Sequence, residues 1–190
     1  MTEITRRTRE TEVTVALELA GTGQRELATG IGMLDHLLDS LACHAGWDLT
    51  LRCTGDLAVD DHHTAEDCAL TLGAALDRAL DDRAGRTRFG WAYAPLDEAL
   101  ARGVIDLATR PHATVDLGLR RERLGALSCE NIAHLLRSLA VGGRFCLHAD
   151  VLRGENDHHR AEAAIKAVAL ALRQALRPAG TAPASTKGVL

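Results

Sequence analysis

Aromatic side chains are scarce. They make up 3% of the 190 residues, against an apolar fraction of 46%. A core built on stacked rings is therefore excluded. It must come from Ala, Leu and Val, which let helices and sheets approach closely. An excess of basic residues is also missing: 22 Lys and Arg face 26 Asp and Glu, for a net charge of -4. That leaves no electrostatic footprint for a nucleic-acid partner. No apolar run approaches the roughly 20 residues of a membrane span. The opening Met1-Thr2-Glu3-Ile4-Thr5-Arg6-Arg7 has no apolar stretch of the secretory kind. The cysteines, Cys43, Cys53, Cys68, Cys129 and Cys146, form no C-x-x-C pair and are odd in number. A disulfide framework is not expected. Reduced, buried cysteines in a cytoplasmic protein are.

What the sequence does have is an internal repeat. Asp61-His62-His63-Thr64-Ala65-Glu66 returns 96 positions later as Asp157-His158-His159-Arg160-Ala161-Glu162. After each copy the apolar positions keep helical spacing: Ala65, Ala69, Leu72, Leu76 and Leu80, then Ala161, Ile165, Val168, Leu172 and Leu176. Upstream, the segment around His36 resembles the one around His134, offset by 98. Each half thus carries a shorter helix with one His and a longer helix opening with His-His-x-x-Glu. Alternating segments read as strands: Val13 to Leu19, Leu49 to Cys53, Val104 to Leu107, Ala113 to Leu117, and Phe145 to His148. Gly21-Thr22-Gly23 suits a hairpin turn between the first two strands. Strand runs punctuated by two helices per half predict an α+β fold made by internal duplication, each half a mostly antiparallel sheet with two helices. The expected division is residues 1–85, residues 86–178 and a tail over residues 179–190, with Arg83 to Arg86 as the connector.

The repeat has metal-binding spacing. Residues four apart on a helix share a face, so His62 with Glu66, and His158 with Glu162, can converge on one ion. His63 and His159 stand about 100° further round and cannot easily reach the same ion. Pseudo-symmetry then suggests one site from His36, His63, His158 and Glu162, and another from His134, His159, His62 and Glu66. Whether the halves meet within one chain or between chains is left open by the sequence. Imidazole and carboxylate donors without thiolate suit manganese, iron or catalytic zinc. Asp60, Asp61, Asn156 and Asp157 either hold the second ring nitrogen of a ligand histidine or cap the long helices. His112 and His148 have no counterparts and read as structural.

Several stretches resemble the imidazoleglycerol-phosphate dehydratase family: Thr29 to Leu38, Gly55-Asp56-Leu57 with Asp60 to Asp67, Arg88-Phe89-Gly90, Leu96 to Ala101, Gly154 to Ala163, and Ser185 to Leu190. The resemblance implies helices packed between two sheets and an assembly of 24 subunits. It also implies a hydro-lyase of histidine biosynthesis with two Mn2+ per active site. That reaction turns D-erythro-imidazole glycerol phosphate into imidazole acetol phosphate, by way of a substrate imidazolate held by two ions. By family position, Arg88, Arg110, Lys166 and Lys187 meet the substrate phosphate, with Ser185 and His44 as further donors. Glu10 is the implied substrate contact and proton shuttle, and Asp97 and Glu98 are orienting groups. A dinuclear phosphoester hydrolase is the competing reading. It requires close ions bridged by a carboxylate.

Overall fold

The structure is a computed structural model that describes residues 1–180, 185 and 186. Its first half runs β1 (Thr2–Arg7), β2 (Thr11–Glu18), β3 (Arg25–Ala28), α1 (Gly32–Ala45), β4 (Asp48–Gly55) and α2 (His62–Leu80). The second runs β5 (Phe89–Leu96), β6 (Ala99–Asp106), β7 (His112–Asp116), a short hairpin β8 (Arg123–Leu124) and β9 (Leu127–Ser128), α3 (Cys129–Gly142), β10 (Cys146–Arg153) and α4 (Asp157–Ala175).

The two main sheets have one topology. Their strand orders are β1-β2-β4-β3 and β5-β6-β10-β7. In each, two antiparallel pairings are followed by one parallel pairing at the end, β3 on β4 and β7 on β10. Paired helices match in length as well, 14 residues for α1 and α3 and 19 for α2 and α4. The duplication read from the histidine motifs is therefore a duplication of fold. Among the described residues, the β8–β9 hairpin is the one strand pair with no partner in the first half.

The four helices lie between the sheets. Helix α2 packs on β1 and β2, helix α4 on β5 and β6, and the layers meet where α2 contacts α3 and α1 contacts α4. Leu37, Leu38 and Leu41 of α1 meet Leu72 of α2, Leu135 and Leu139 of α3, and Ile165 of α4 at the centre. Each such leucine, taken wholly from water, contributes on the order of 1.5–3 kcal/mol. The scarcity of aromatics fits this packing. Trp47 and Phe145 are buried, while Phe89, Trp91 and Tyr93 are exposed. In the second half, alanines of α4 ride close on glycines of the sheet. A Cβ added at Gly103 would lie 2.8 Å from the Ala167 backbone.

Arg83 joins the halves. Its side chain is 1% exposed. It pairs with Asp77 and donates to the carbonyls of Leu107 (2.8 Å), Arg144 (2.7 Å) and Gly143 (2.8 Å). The expected connector is thus a clamp, with Arg83 itself in left-handed backbone at φ 62°.

Two expectations are corrected. Gly21-Thr22-Gly23 is not a hairpin turn, because β2 and β3 each pair with β4 and not with one another. The loop is held by Asp48, whose Oδ1 accepts the backbone N–H groups of Thr22, Gly23 and Gln24, each at 2.7 Å. Nor are the cysteines uniformly buried: all five are free, but Cys43 is exposed and Cys53 and Cys146 are half-buried. Glu10, the implied substrate contact, lies in the β1–β2 turn, one residue before β2 begins. No helix among the described residues is long and apolar enough to cross a membrane.

Candidate metal centres

Each His-His-x-x-Glu motif opens a helix, and the cap explains why. At α2, Asp60 Oδ1 accepts the His62 N–H at 2.8 Å; at α4, Asn156 Oδ1 accepts the His158 N–H at 2.9 Å. Both caps satisfy an otherwise unpaired first-turn donor. Asp61 and Asp157 brace the approach to the helices. Asp61 takes the Ser128 N–H (2.6 Å) and hydroxyl (2.8 Å), and Asp157 takes the Arg120 and Arg121 N–H groups at 2.8 and 2.7 Å. Of the two roles expected for these four residues, Asp60 and Asn156 show capping, whereas Asp61 and Asp157 show neither and brace loops instead.

Two donor clusters result. His36, His158 and Glu162 form one, and His62, Glu66 and His134 form the other, each with its ligand atoms within 4.8 Å of one another. In each, the shorter helix of one half gives a histidine and the longer helix of the other half gives His and Glu. Three of the four members expected by symmetry thus meet within a single chain. His36 Nε2 lies 3.1 Å and His158 Nε2 3.2 Å from the same oxygen, Glu162 Oε2. The His36 and His158 rings stack at 5.4 Å, and the His62 and His134 rings at 4.8 Å. No carboxylate belongs to both clusters.

The fourth members stay out. His63 and His159 turn away, each with Nδ1 held by a carboxylate: Asp56 Oδ2 at 3.0 Å and Glu98 Oε2 at 2.7 Å. Their Nε2 atoms face Glu10 and Asp97, both at 3.7 Å. These contacts raise the pKa of both imidazoles, Asp56 being the leading cause at His63 and Glu98 at His159. Asp56 had no role in the sequence reading, although it lies in the resembling Gly55-Asp56-Leu57. The spacing of the repeat could not reveal it, because the matching carboxylate, Glu98, comes from the β5–β6 turn. Asn131, 3.0 Å from His62 Nδ1, was likewise missed.

Lys166 and His44 gather beside the first cluster. Lys166 Nζ lies 2.8 Å from Glu162 Oε1. Burial opposes ionisation of Glu162, but the hydrogen bonds from Lys166 and His36 outweigh it and hold the carboxyl at about 2. Burial, then the charge of Lys166, pushes His44 below its ordinary value. The first-half position equivalent to Lys166 is Leu70, so this cation is specific to one cluster. Arg88 is elsewhere. Its N–H bonds Ala175 O at the far end of α4, and its guanidinium pairs with Asp106 at 2.8 Å. At 1.5 Å per residue, Ala175 is roughly 20 Å from Glu162 along the helix. Exposed Arg110 lies in the turn just after β6, at the Arg88 end of the sheet. Ser185 is half-buried, and Lys187 falls outside the described residues.

The donor sets fit divalent cations. His134 Nε2 is shut off from solvent and makes no hydrogen bond, yet lies 3.2 Å from Glu66 Oε1. A cation between them would satisfy both atoms. Imidazole with carboxylate suits manganese, iron or catalytic zinc rather than an iron–sulfur centre. Among the described residues, two clefts of about 620 and 640 Å³ have no clustered histidine or glutamate in their linings.

The fold and site define a duplicated α+β chain with two half-exchanged histidine–glutamate clusters whose donors suit divalent cations. Comparison makes it specific. The imidazoleglycerol-phosphate dehydratase family model matches residues 29–172. A relative of that name from Eremothecium gossypii is 55% identical over 180 residues, 94% of this chain and 82% of its own length. One from Phytophthora nicotianae is 55% identical over 188 residues; the chain spans 98% of its own length but 42% of that relative. The crystal structure of the Pyrococcus furiosus protein superposes with a TM-score of 0.85 at 36% identity, covering 98% of this chain and 100% of that one. The chain belongs to the imidazoleglycerol-phosphate dehydratase family, a family of hydro-lyases.

Proposed function

We propose that the chain, assembled with copies of itself, converts D-erythro-imidazole glycerol phosphate to imidazole acetol phosphate and water in the cytoplasm, with manganese at both clusters. The observation that carries this reading is the pair of symmetry-related donor sets with no bridging carboxylate. Separate ions suit a substrate that offers two ring nitrogens. They do not suit the hydrolase reading, which needs ions roughly 3.5–4 Å apart. Bound there, the cations would supply Lewis acidity that lowers the pKa of the substrate imidazole and steadies its anion.

The chain's own residues supply the rest. Asp56 and Glu98 hold the Nδ1 atoms of His63 and His159, which fixes the tautomer and points a lone pair at Nε2 outward. Such nitrogens, absent from their own chain's clusters, are suited to complete a neighbour's. Arg88 and Arg110 support the same conclusion, since roughly 20 Å of helix α4 separates their end of the chain from Glu162. A second copy brings them to the phosphate, opposite Lys166 and His44, with Ser185 and Lys187 from the tail. The 24-subunit particle implied by the family resemblance gives each chain such neighbours. Glu10, beside His63, is the proton shuttle, and Asp97 occupies the corresponding place beside His159. The test is to follow ketone formation from imidazole glycerol phosphate by the manganese-loaded protein, with a chelated control and free phosphate measured in parallel. Metal-dependent ketone without phosphate release is expected. Phosphate release would favour the hydrolase, and no turnover by loaded, assembled protein would overturn the reading.

A further inference from the structure

His112 and His148 are not structural residues of the core. Both are exposed, and they stand with Cys146 on the face of the second sheet that points away from the helices. Along β10, Leu147 and Ala149 are buried, so Cys146 and His148 face outward, two residues apart on one side of the pleat. Strand β7 runs parallel beside it and pairs His112 with Cys146 and Thr114 with His148. The three side chains thus occupy adjacent and diagonal positions on a rigid sheet. The His112 and His148 ring centroids are 5.8 Å apart. Two imidazoles on one tetrahedral ion, with nitrogens about 2.0–2.1 Å from it, place their centroids roughly 5 Å apart. The two ring nitrogens and the Cys146 Sγ do not lie within 4.8 Å of one another as the side chains stand, so binding an ion here requires side-chain rotation to bring them together. His112 Nε2 lies 3.2 Å from Thr114 Oγ1, a contact that fixes the ring and leaves Nδ1 for a ligand.

We propose that Cys146, His148 and His112 form a second kind of metal site, for zinc or a similarly soft divalent cation, with solvent in the fourth position. A thiolate with two imidazoles suits such an ion, whereas the helix clusters offer only imidazole and carboxylate. Asp106, the register partner of Cys146 on β6, is not in the set, because Arg88 occupies both its oxygens at 2.8 and 3.2 Å. Coordination breaks the Cys146 S–H bond, sends the proton to buffer and forms the sulfur–metal bond with no change of oxidation state. Neither histidine has a counterpart in the first half, so the site stands outside the duplication.

Cobalt reports on this site without confusion from the others, because only a thiolate gives an intense near-ultraviolet charge-transfer band with Co2+. The protein is kept saturated with Mn2+ and titrated with Co2+. The expected result is a band that saturates at one Co2+ per chain and is displaced by Zn2+. It should be absent in Cys146→Ser. In His148→Ala and His112→Ala the affinity should fall by more than about 10-fold, the loss that removing an outer-shell partner alone can cause. All three side chains lie on an outer face, so circular dichroism and the unfolding midpoint should match the parent. No band in the folded parent, a band surviving in Cys146→Ser, or unchanged affinity in both histidine variants would overturn the site.

Discussion

Replacing Glu98 by glutamine isolates one hydrogen bond at the candidate centre. Glu98 Oε1 accepts the N–H groups of Glu155 (3.0 Å) and Asn156 (2.8 Å), which shape the turn into α4, while Oε2 faces His159 Nδ1 at 2.7 Å. The Asn156 N–H, then His159 and the Glu155 N–H, hold the carboxyl down at about 2, so it is charged throughout any ordinary assay. Glutamine keeps an oxygen for the two backbone donors but presents an NH2 group to His159. The ring must then accept at Nδ1 and carry its proton on Nε2, where it can no longer bind a metal. Loss of such an orienting partner costs roughly 10–100-fold in metal affinity. Glu98→Gln should therefore weaken Mn2+ binding by that factor in an electron paramagnetic resonance titration of free Mn2+. The metal-free melting temperature should stay near that of the parent. Glu98→Ala removes all three acceptors and should lower both. Unchanged Mn2+ affinity in Glu98→Gln would refute the tautomer argument, and so would a melting temperature reduced as far as in Glu98→Ala.

Other substitutions test the frame and the chemistry. Arg83→Met strands the carbonyls of Leu107, Gly143 and Arg144, while half-buried Asp77 keeps Arg144 at 3.5 Å, and should cost about 2–4 kcal/mol in urea unfolding of the metal-free protein; a loss near zero would contradict the clamp. Gly103→Ala puts a methyl group 2.8 Å from the Ala167 backbone and should cost about 1–3 kcal/mol, read as a lower unfolding midpoint. Glu10→Gln should reduce kcat by about 10²–10⁴-fold with bound Mn2+ per chain unchanged; full turnover would remove Glu10 from the chemistry.

The parts of the account legible in the sequence are those with a period. The repeated His-His-x-x-Glu copies and their apolar stripes specify α2 and α4, and the paired upstream histidines locate α1 and α3. Burial alternation found β2, β4, β6, β7 and β10. Strands β1 and β3 were missed because their inward positions are only half-buried, with residues such as Ile4 and Leu27 partly covered. Edge strand β5 was missed because its outward positions are Phe89, Trp91 and Tyr93, which reverses the usual pattern. At the site, helical spacing and pseudo-symmetry brought out the clustered donors. They could not reveal Asp56 and Asn131, because these act across space from a turn and a different helix; Glu98, named as an orienting group by the resemblance, does lie against His159 Nδ1. They also could not reveal that Arg88 sits at the opposite end of α4 from Glu162, since resemblance names a residue without saying which copy uses it.

Anomalous diffraction from crystals of the manganese-loaded protein measures the central claim directly. The account predicts two separate manganese positions per chain, one bound by His36, His158 and Glu162 and the other by His62, Glu66 and His134, with a histidine of a neighbouring copy completing each. A single position, or a pair bridged by Glu66 or Glu162, would contradict it.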